Sequence, residues 1–388
     1  MNDRARPAAA EVAGAVHLGG YYLLHFATVG IILPFLPAYY RSLGLSGAQI
    51  GVLLAMSPLL SMLAPPLWGH LADRTGRVDR VLSAVALGAC LGFAPLLVVE
   101  RYGLLAASCV AYAFFASSIT TLIDSLTLRR VEVVGGSYSQ IRLFGSVGFV
   151  ASSTTYGLLV SQVDARAVWA SLALMTGAFL WTLAIRTRTA PAPSMHPLAG
   201  LRLLRERDIA VLLASTALHW IASAPYHGTF AIHVTALSLP PSVVGLGAGI
   251  GVVAEIAVML LYPRLFGRMQ PRHLLCLSFV VSGARWLLMS VVEDAASMVA
   301  VQVLHGMTFG AFYTASVSFL AARVPPHLRA SGQALFAAVT WGLGGLIGYT
   351  IAGVGYDALG GYRLFAVAAA AELVPAVLVL GARAPERT

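Results

Sequence analysis

Five ionisable side chains stand inside long apolar runs: Asp124, Arg142, Glu255, Arg285 and Glu372. His25, His219, His227, His233 and His305 accompany them. A charge in hydrocarbon costs about 2.5–3.5 kcal/mol, so a group kept there is a candidate for handling a solute or a proton. Asp124 and Arg142 are equidistant from position 133, the middle of a short connection. In an antiparallel helical hairpin that gives them equal depth, and the spacing predicts a pair across the helices. The bland alternative is an ion pair that only holds the hairpin together. Arg285 and His305 are likewise symmetric about position 295, and Glu255 lies halfway along its run. A carboxyl caught between burial and an arginine is poised to load and release a proton. Another run carries His219, Trp220, Tyr226, His227, Phe230 and His233. Helical spacing sets His219, Tyr226, Phe230 and His233 in one stripe facing a cavity. Tyr226 and His227 are candidate solute contacts there, as are Tyr22 and His25 in the first run. A lone histidine in such a place more often only bonds a neighbouring helix. Glu372 has no evident partner.

The elements that position these groups follow from composition. Of 388 residues, 58% are hydrophobic and 11% charged, against about a quarter charged in soluble domains. The apolar excess must face lipid, and long helical runs with few charges are what a bilayer accepts. Spans are expected near 17–41, 47–70, 80–99, 103–128, 138–161 and 166–185, then 209–236, 242–266, 273–292, 297–322, 330–355 and 362–381. The fold class is therefore an all-α membrane protein with twelve transmembrane helices. A Pro- and Arg-bearing stretch splits it into a six-helix half over 1–186, a linker over 187–208, and a second half over 209–388. Shifting the chain by 194 residues aligns Leu43-Gly44-Leu45-Ser46 with Leu237-Ser238-Leu239-Pro240, and His25 with His219. A common offset at equivalent places argues for two pseudo-symmetric halves, the plan of many secondary transporters. All 25 basic residues are Arg; nineteen collect on one side of the expected bundle and four on the other. By the positive-inside rule both termini are cytoplasmic, and Met1 to Val16 is read as a cytoplasmic tail. The +9 charge then orients helices and calls for no nucleic acid. Cys90, Cys109 and Cys276 have no disulfide or metal-ligand spacing, and there is no phosphate-binding G-x-x-x-x-G-K-[ST] loop. No metal, cofactor or enzymatic activity is expected.

The loop Gly69-His70-Leu71-Ala72-Asp73-Arg74-Thr75-Gly76-Arg77 resembles the G-x-L-a-D-r-x-G-r loop of the major facilitator superfamily. The resemblance implies the major facilitator fold, with Gly69, Asp73, Arg74, Gly76 and Arg77 steadying a cytoplasmic gate. Physically, Asp73 can cap or charge-pair at a helix end. An ordinary turn with positive-inside charges is the plainer reading. Further stretches are similar to the phenylpropionate-transporter and lactose-permease branch: Tyr21-Tyr22 through Pro34-Phe35-Leu36-Pro37, Ile141-Arg142-Leu143-Phe144-Gly145, Gly251-Val252-Val253-Ala254-Glu255, Arg285-Trp286 and Val303-Leu304-His305. That branch implies proton-coupled import of sugars, nucleosides or small organic acids. It further implies solute binding by an acid and an Arg at the spacing of Asp124 and Arg142, and proton coupling by a trio like Glu255, Arg285 and His305. The permease pattern has a glutamate three residues after the histidine, where this chain has Thr308. Either Glu255, Asp124 or His305 then takes the proton task, with Glu255 favoured, or the coupling differs. In this fold helices at the last position usually face lipid, which leaves Glu372 without an account.

The expected function is proton-coupled uptake of a small organic solute by alternating access in a cytoplasmic membrane, with one chain sufficing as a monomer. Its partners are the solute, protons and the lipid bilayer. A proton-antiport exporter is the alternative, but Gly145 to Gly157 contains no Pro, unlike the Gly-x-x-x-Gly-Pro element of many exporters. A non-transporting receptor or scaffold is the third reading, and the retained intramembrane charges count against it.

Overall fold

The computed structural model describes residues 13–187 and 199–383. Most of the N-terminal tail and half of the linker lie outside the described residues. Among them the chain is helical throughout: α1 (Ala15–Ser42), α2 (Gly47–Thr75), α3 (Val78–Phe93), α4 (Tyr102–Ala116), α5 (Ile119–Val134), α6 (Tyr138–Leu159) and α7 (Arg166–Thr182) precede the linker. After it come α8 (Arg207–Ala236), α9 (Ser242–Phe266), α10 (Pro271–Met289), α11 (Ala295–Ala300), α12 (Phe312–Ala321), α13 (Arg329–Ala337), α14 (Gly344–Ala371) and α15 (Leu373–Leu380). Among the described residues, eight helical runs are long and apolar enough to cross a membrane. One of these joins α4 and α5 across Ser117 and Ser118. The last, Pro326–Leu380, has 55 residues and is interrupted at Gly360 (φ 72°, ψ 172°). Two π-turns, Gly306–Ala311 and Ala338–Leu343, sit within the second-half runs; such turns often mark functional positions.

Helix ends are closed by the sequence itself. Ser46 and Gln49 form a capping box at the start of α2, and Gly76 ends it with φ 62° and an N–H bonded to Ala72 O. The 194-residue repeat reappears as one corner built twice. Gly44 (φ 80°) and Ser238 (φ 56°) take the left-handed conformation at equivalent places. Leu45 N bonds back to Tyr40 O, as Leu239 N does to Val234 O. This is a Schellman closure; Gly44 adopts it at no steric cost, whereas Ser238 bears the strain of a Cβ.

One apolar core lies mainly in the first half and takes in Ile232, Tyr356 and Leu364 of the second, another lies mainly beyond the linker, and a third joins the halves through Phe35, Tyr156, Phe230, Val244 and Trp286. Without hydrophobic gain between helices in lipid, close backbone approach supplies the packing. A Cβ on Gly353 of α14 would lie 2.9 Å from Gly51 Cα of α2, and one on Gly245 of α9 would lie 3.1 Å from Gly157 Cα of α6. Beside the first seam, Asp357 of α14 caps α2 from the other half. Its carboxylate accepts from Gly47 N at 2.8 Å and Ala48 N at 2.9 Å, and stands 3.6 Å from Arg41 Nη1. With the capping box, this satisfies the α2 N-terminal donors that would otherwise be orphaned.

Candidate solute site

Between the halves lie two adjoining cavities of about 370 and 360 Å³ that share Trp220, His227, Trp341 and Tyr349. His25 lines the first; Arg142, Glu255 and His305 line the second. A smaller one of about 70 Å³ sits beside Tyr226, Phe230 and His305. The two π-turns carry two of the aromatic wall residues, Phe309 and Trp341. Trp220 faces both at ring separations of 6.2 and 6.5 Å.

In the first half, Gly135 (φ 83°) and Gly136 (φ 105°) turn the chain between α5 and α6, bringing Asp124 level with the start of α6. The predicted Asp124–Arg142 pair does not form. Asp124 Oδ1 accepts from the hydroxyls of Tyr22 and, at 3.0 Å, Tyr138. Two phenols intercept the carboxylate, and Arg142 turns to the cavity, where its guanidinium lies 3.9 Å from the Phe26 ring centre. Arg142 makes no ion pair among the described residues. Tyr22 is therefore a buried brace for Asp124, and His25, 3.3 Å from Thr120 Oγ1, lies on a cavity wall.

In the second half the structure brings Glu255, Arg285 and His305 together, with the histidine in the middle. Arg285 is 1% exposed. Its Nη1 donates to His305 Nδ1 at 3.0 Å and Thr308 Oγ1 at 2.9 Å, and its Nη2 to Gln302 Oε1. A guanidinium only donates, so His305 Nδ1 is the acceptor and the neutral imidazole carries its proton on Nε2. That nitrogen stands 3.8 Å from Glu255 Oε2. Glu255 thus meets His305 rather than Arg285 directly, and Thr308 takes a hydrogen bond from Arg285 where the permease pattern places an acid.

Two further expectations are corrected. The stripe on α8 does not face a cavity as a unit: His219 and His233 are buried in helix packing, while His227 and Trp220 line the main cavities and Tyr226 and Phe230 the small one. Glu372 does not face lipid; it is 1% exposed and bonded to His219. At the expected gating loop, Asp73 and Arg74 are exposed in the last turn of α2, Gly69 has open space around it, and the ion pair at this corner is Arg77–Asp79 at 3.2 Å. Sequence reasoning missed Gln302, Tyr138, Trp341 and Tyr349. The first two lie on the same hairpins as Arg285 and Asp124, and a search limited to charges passes over them.

Residues 15–367 match the model of the MFS_1-like family. The chain belongs to this family. Among its relatives, the transporter is 31% identical to the maltose permease of Geobacillus stearothermophilus, over 84% of this chain and 83% of that one. It is 28% identical to a probable 3-phenylpropionic acid transporter of Escherichia coli, over 87% and 90% of the two chains. The nucleoside transporter NupG has the same fold, with a TM-score of 0.84 at 18% identity over 94% of this chain and 98% of that structure. The protein is accordingly a multi-pass membrane transporter of the major facilitator type and not an enzyme.

Proposed function

We propose that this transporter takes up a small organic acid together with a proton, by alternating access of two six-helix halves. The observation that carries the reading is Arg142, held without an ion pair in a cavity into which the other half presents Glu255 and His305. An unpaired guanidinium in such a place is a receptor for a solute carboxylate. The aromatic wall of Trp220, Phe309 and Trp341 suits a flat or apolar body on that acid. Glu255 takes the proton, with His305 Nε2–H directed at it. Asp124, Tyr226, His227, Tyr22 and His25 are assigned to the solute side, directly or by bracing Arg142's surroundings.

Reading α6, α7 and α10 as further crossings, and the interrupted 55-residue run as two, supports the proposed twelve passes. The Arg distribution then sets both termini in the cytoplasm. One chain holds both halves, so a monomer suffices. The seams at Gly353 and Gly245 lie at the end opposite the Arg-rich loops, which supports reading that end as the closed one.

The test is uptake into proteoliposomes with an inward proton gradient, using 3-phenylpropionate, maltose and uridine as probes. Accumulation of the carboxylate, lost in Arg142→Ala with an unchanged melting temperature, is the expected result. If none of the three accumulates, the uptake reading fails. A sugar is the second reading, favoured by charges of both signs beside aromatic faces, which suit hydroxyls and pyranose rings. Accumulation of maltose alone would select it.

A further inference from the structure

The second half holds another ionisable pair, behind the cavity wall rather than on it. Glu372, between α14 and α15, and His219 of α8 have side chains 1% exposed. His219 Nδ1 lies 2.9 Å from both carboxylate oxygens, and Trp286 Nε1 of α10 donates to Glu372 Oε1 at 3.1 Å. Phe279 and Phe312 pack on the imidazole at 4.9 and 4.5 Å between ring centres. Apolar residues of similar volume generally pack such a site at no loss of stability, so packing alone does not account for the pair.

Its contacts lead to the cavity. Trp286 follows Arg285 in the chain, and its ring stacks on Tyr226 with centres 5.5 Å apart and planes 29° apart. The Arg285 guanidinium lies 4.3 Å from the Tyr226 ring centre and 4.7 Å from that of Trp286. Arg285 in turn bonds His305, which reaches Glu255. No carboxylate stands within ion-pair distance of Arg285 among the described residues, and its buried Nε has no partner. The cation is held by ring faces and neutral acceptors. Ring faces attract a guanidinium without fixing its direction, so the direction depends on what fixes the rings. Glu372 fixes one of them by its edge.

We propose that Glu372, anchored by His219, is a positioning residue for Arg285: it sets the Trp286 ring on which the guanidinium rests, and so holds the Arg285–His305 bond that keeps the His305 proton on the nitrogen facing Glu255. The inference deepens the proton assignment given to Glu255 and His305 above and rests on it for its significance. The geometric claim is tested without any solute. Histidine-specific ¹⁵N-labelled protein in nanodiscs gives the tautomer of each ring, with His305 assigned by loss of its signals in His305→Gln. The wild type is expected to hold His305 as a single Nε2–H tautomer. Glu372→Leu is expected to turn this into a mixture of tautomers. Glu372→Gln, which keeps an acceptor for Trp286, is expected to restore the single form. Should Glu372→Leu not fold, Trp286→Phe removes the same bond while keeping a ring, and is expected to give the mixture as well. A lowered melting temperature with the His305 tautomer unchanged in either variant overturns the proposal and leaves the pair as a helix staple. Failure of every uptake probe, with the tautomer shift present, would instead count against the transport reading alone.

Discussion

Asp357→Ala is expected to open one end of the bundle. The carboxylate accepts from two backbone N–H groups of α2, at 2.8 and 2.9 Å, across the boundary between the halves. A helix cap of this type contributes about 1 kcal/mol per bond, so the two together hold the seam by about 2 kcal/mol. Arg41 adds little, because the two side chains are 39% and 32% exposed and water screens such pairs to about 0–1 kcal/mol. A change of about 2 kcal/mol moves the equilibrium between joined and parted halves by about thirtyfold. Asp357→Asn keeps one acceptor oxygen and should shift it by about fivefold. The assay is double electron–electron resonance between spin labels at Arg101 and Val291, exposed positions of the two halves near this end. Cys90, Cys109 and Cys276 are replaced beforehand. A longer-distance component should grow from wild type through Asn to Ala. Identical distance distributions in wild type and Asp357→Ala would refute the reasoning and leave the glycine contacts alone holding this end.

Four further outcomes are expected. Glu255→Gln should retain exchange of labelled 3-phenylpropionate across proteoliposomes while losing accumulation driven by a pH gradient. Thr308→Val removes one of Arg285's acceptors and should cost about 1–3 kcal/mol of stability, read as a lower melting temperature. Gly245→Leu overpacks the α6–α9 contact by about 1–3 kcal/mol and should populate the same longer distances as Asp357→Ala. Asp294, outside the apolar run, accepts from Ser297 N at 2.9 Å, which holds its carboxyl below the usual range. A depressed folded-state pKa gives stability that is present above the unfolded value and lost as pH falls through the folded one. The melting temperature of Asp294→Ala should therefore fall less steeply on acidification than that of the wild type.

Depth was legible in the sequence and direction was not. Symmetry about a turn placed Arg285 and His305 at one level, and they bond; the same argument placed Asp124 and Arg142 at one level, and they do not pair. The difference lies in neutral competitors: Tyr22 and Tyr138 offer hydroxyls to Asp124, and no rule of charge spacing anticipates them. The membrane class and the repeat were legible because hydropathy and left-handed corners are local properties, as Gly44 and Ser238 show. Glu372 was not, because its partners are 153 and 86 residues away in sequence and only the packing of α8 against α10 and α14 brings them together. Periodicity on α8 likewise gave a stripe, whereas the two larger cavities are lined by Trp220 and His227 of that helix.

The glycine seams bear on how reversible the joint between the halves is. Contacts made by Gly51, Gly353, Gly157 and Gly245 contain no side chain to unlock. Parting them strands few polar groups, because the contacting backbone keeps its own helical hydrogen bonds. Such a surface parts with little friction, and it closes again without searching among rotamers. Position along the stroke is then remembered by the few directional contacts at its end, of which Asp357 on α2 is the clearest. A joint of this kind parts easily, with its directional hold concentrated at the exposed Asp357 cap on α2.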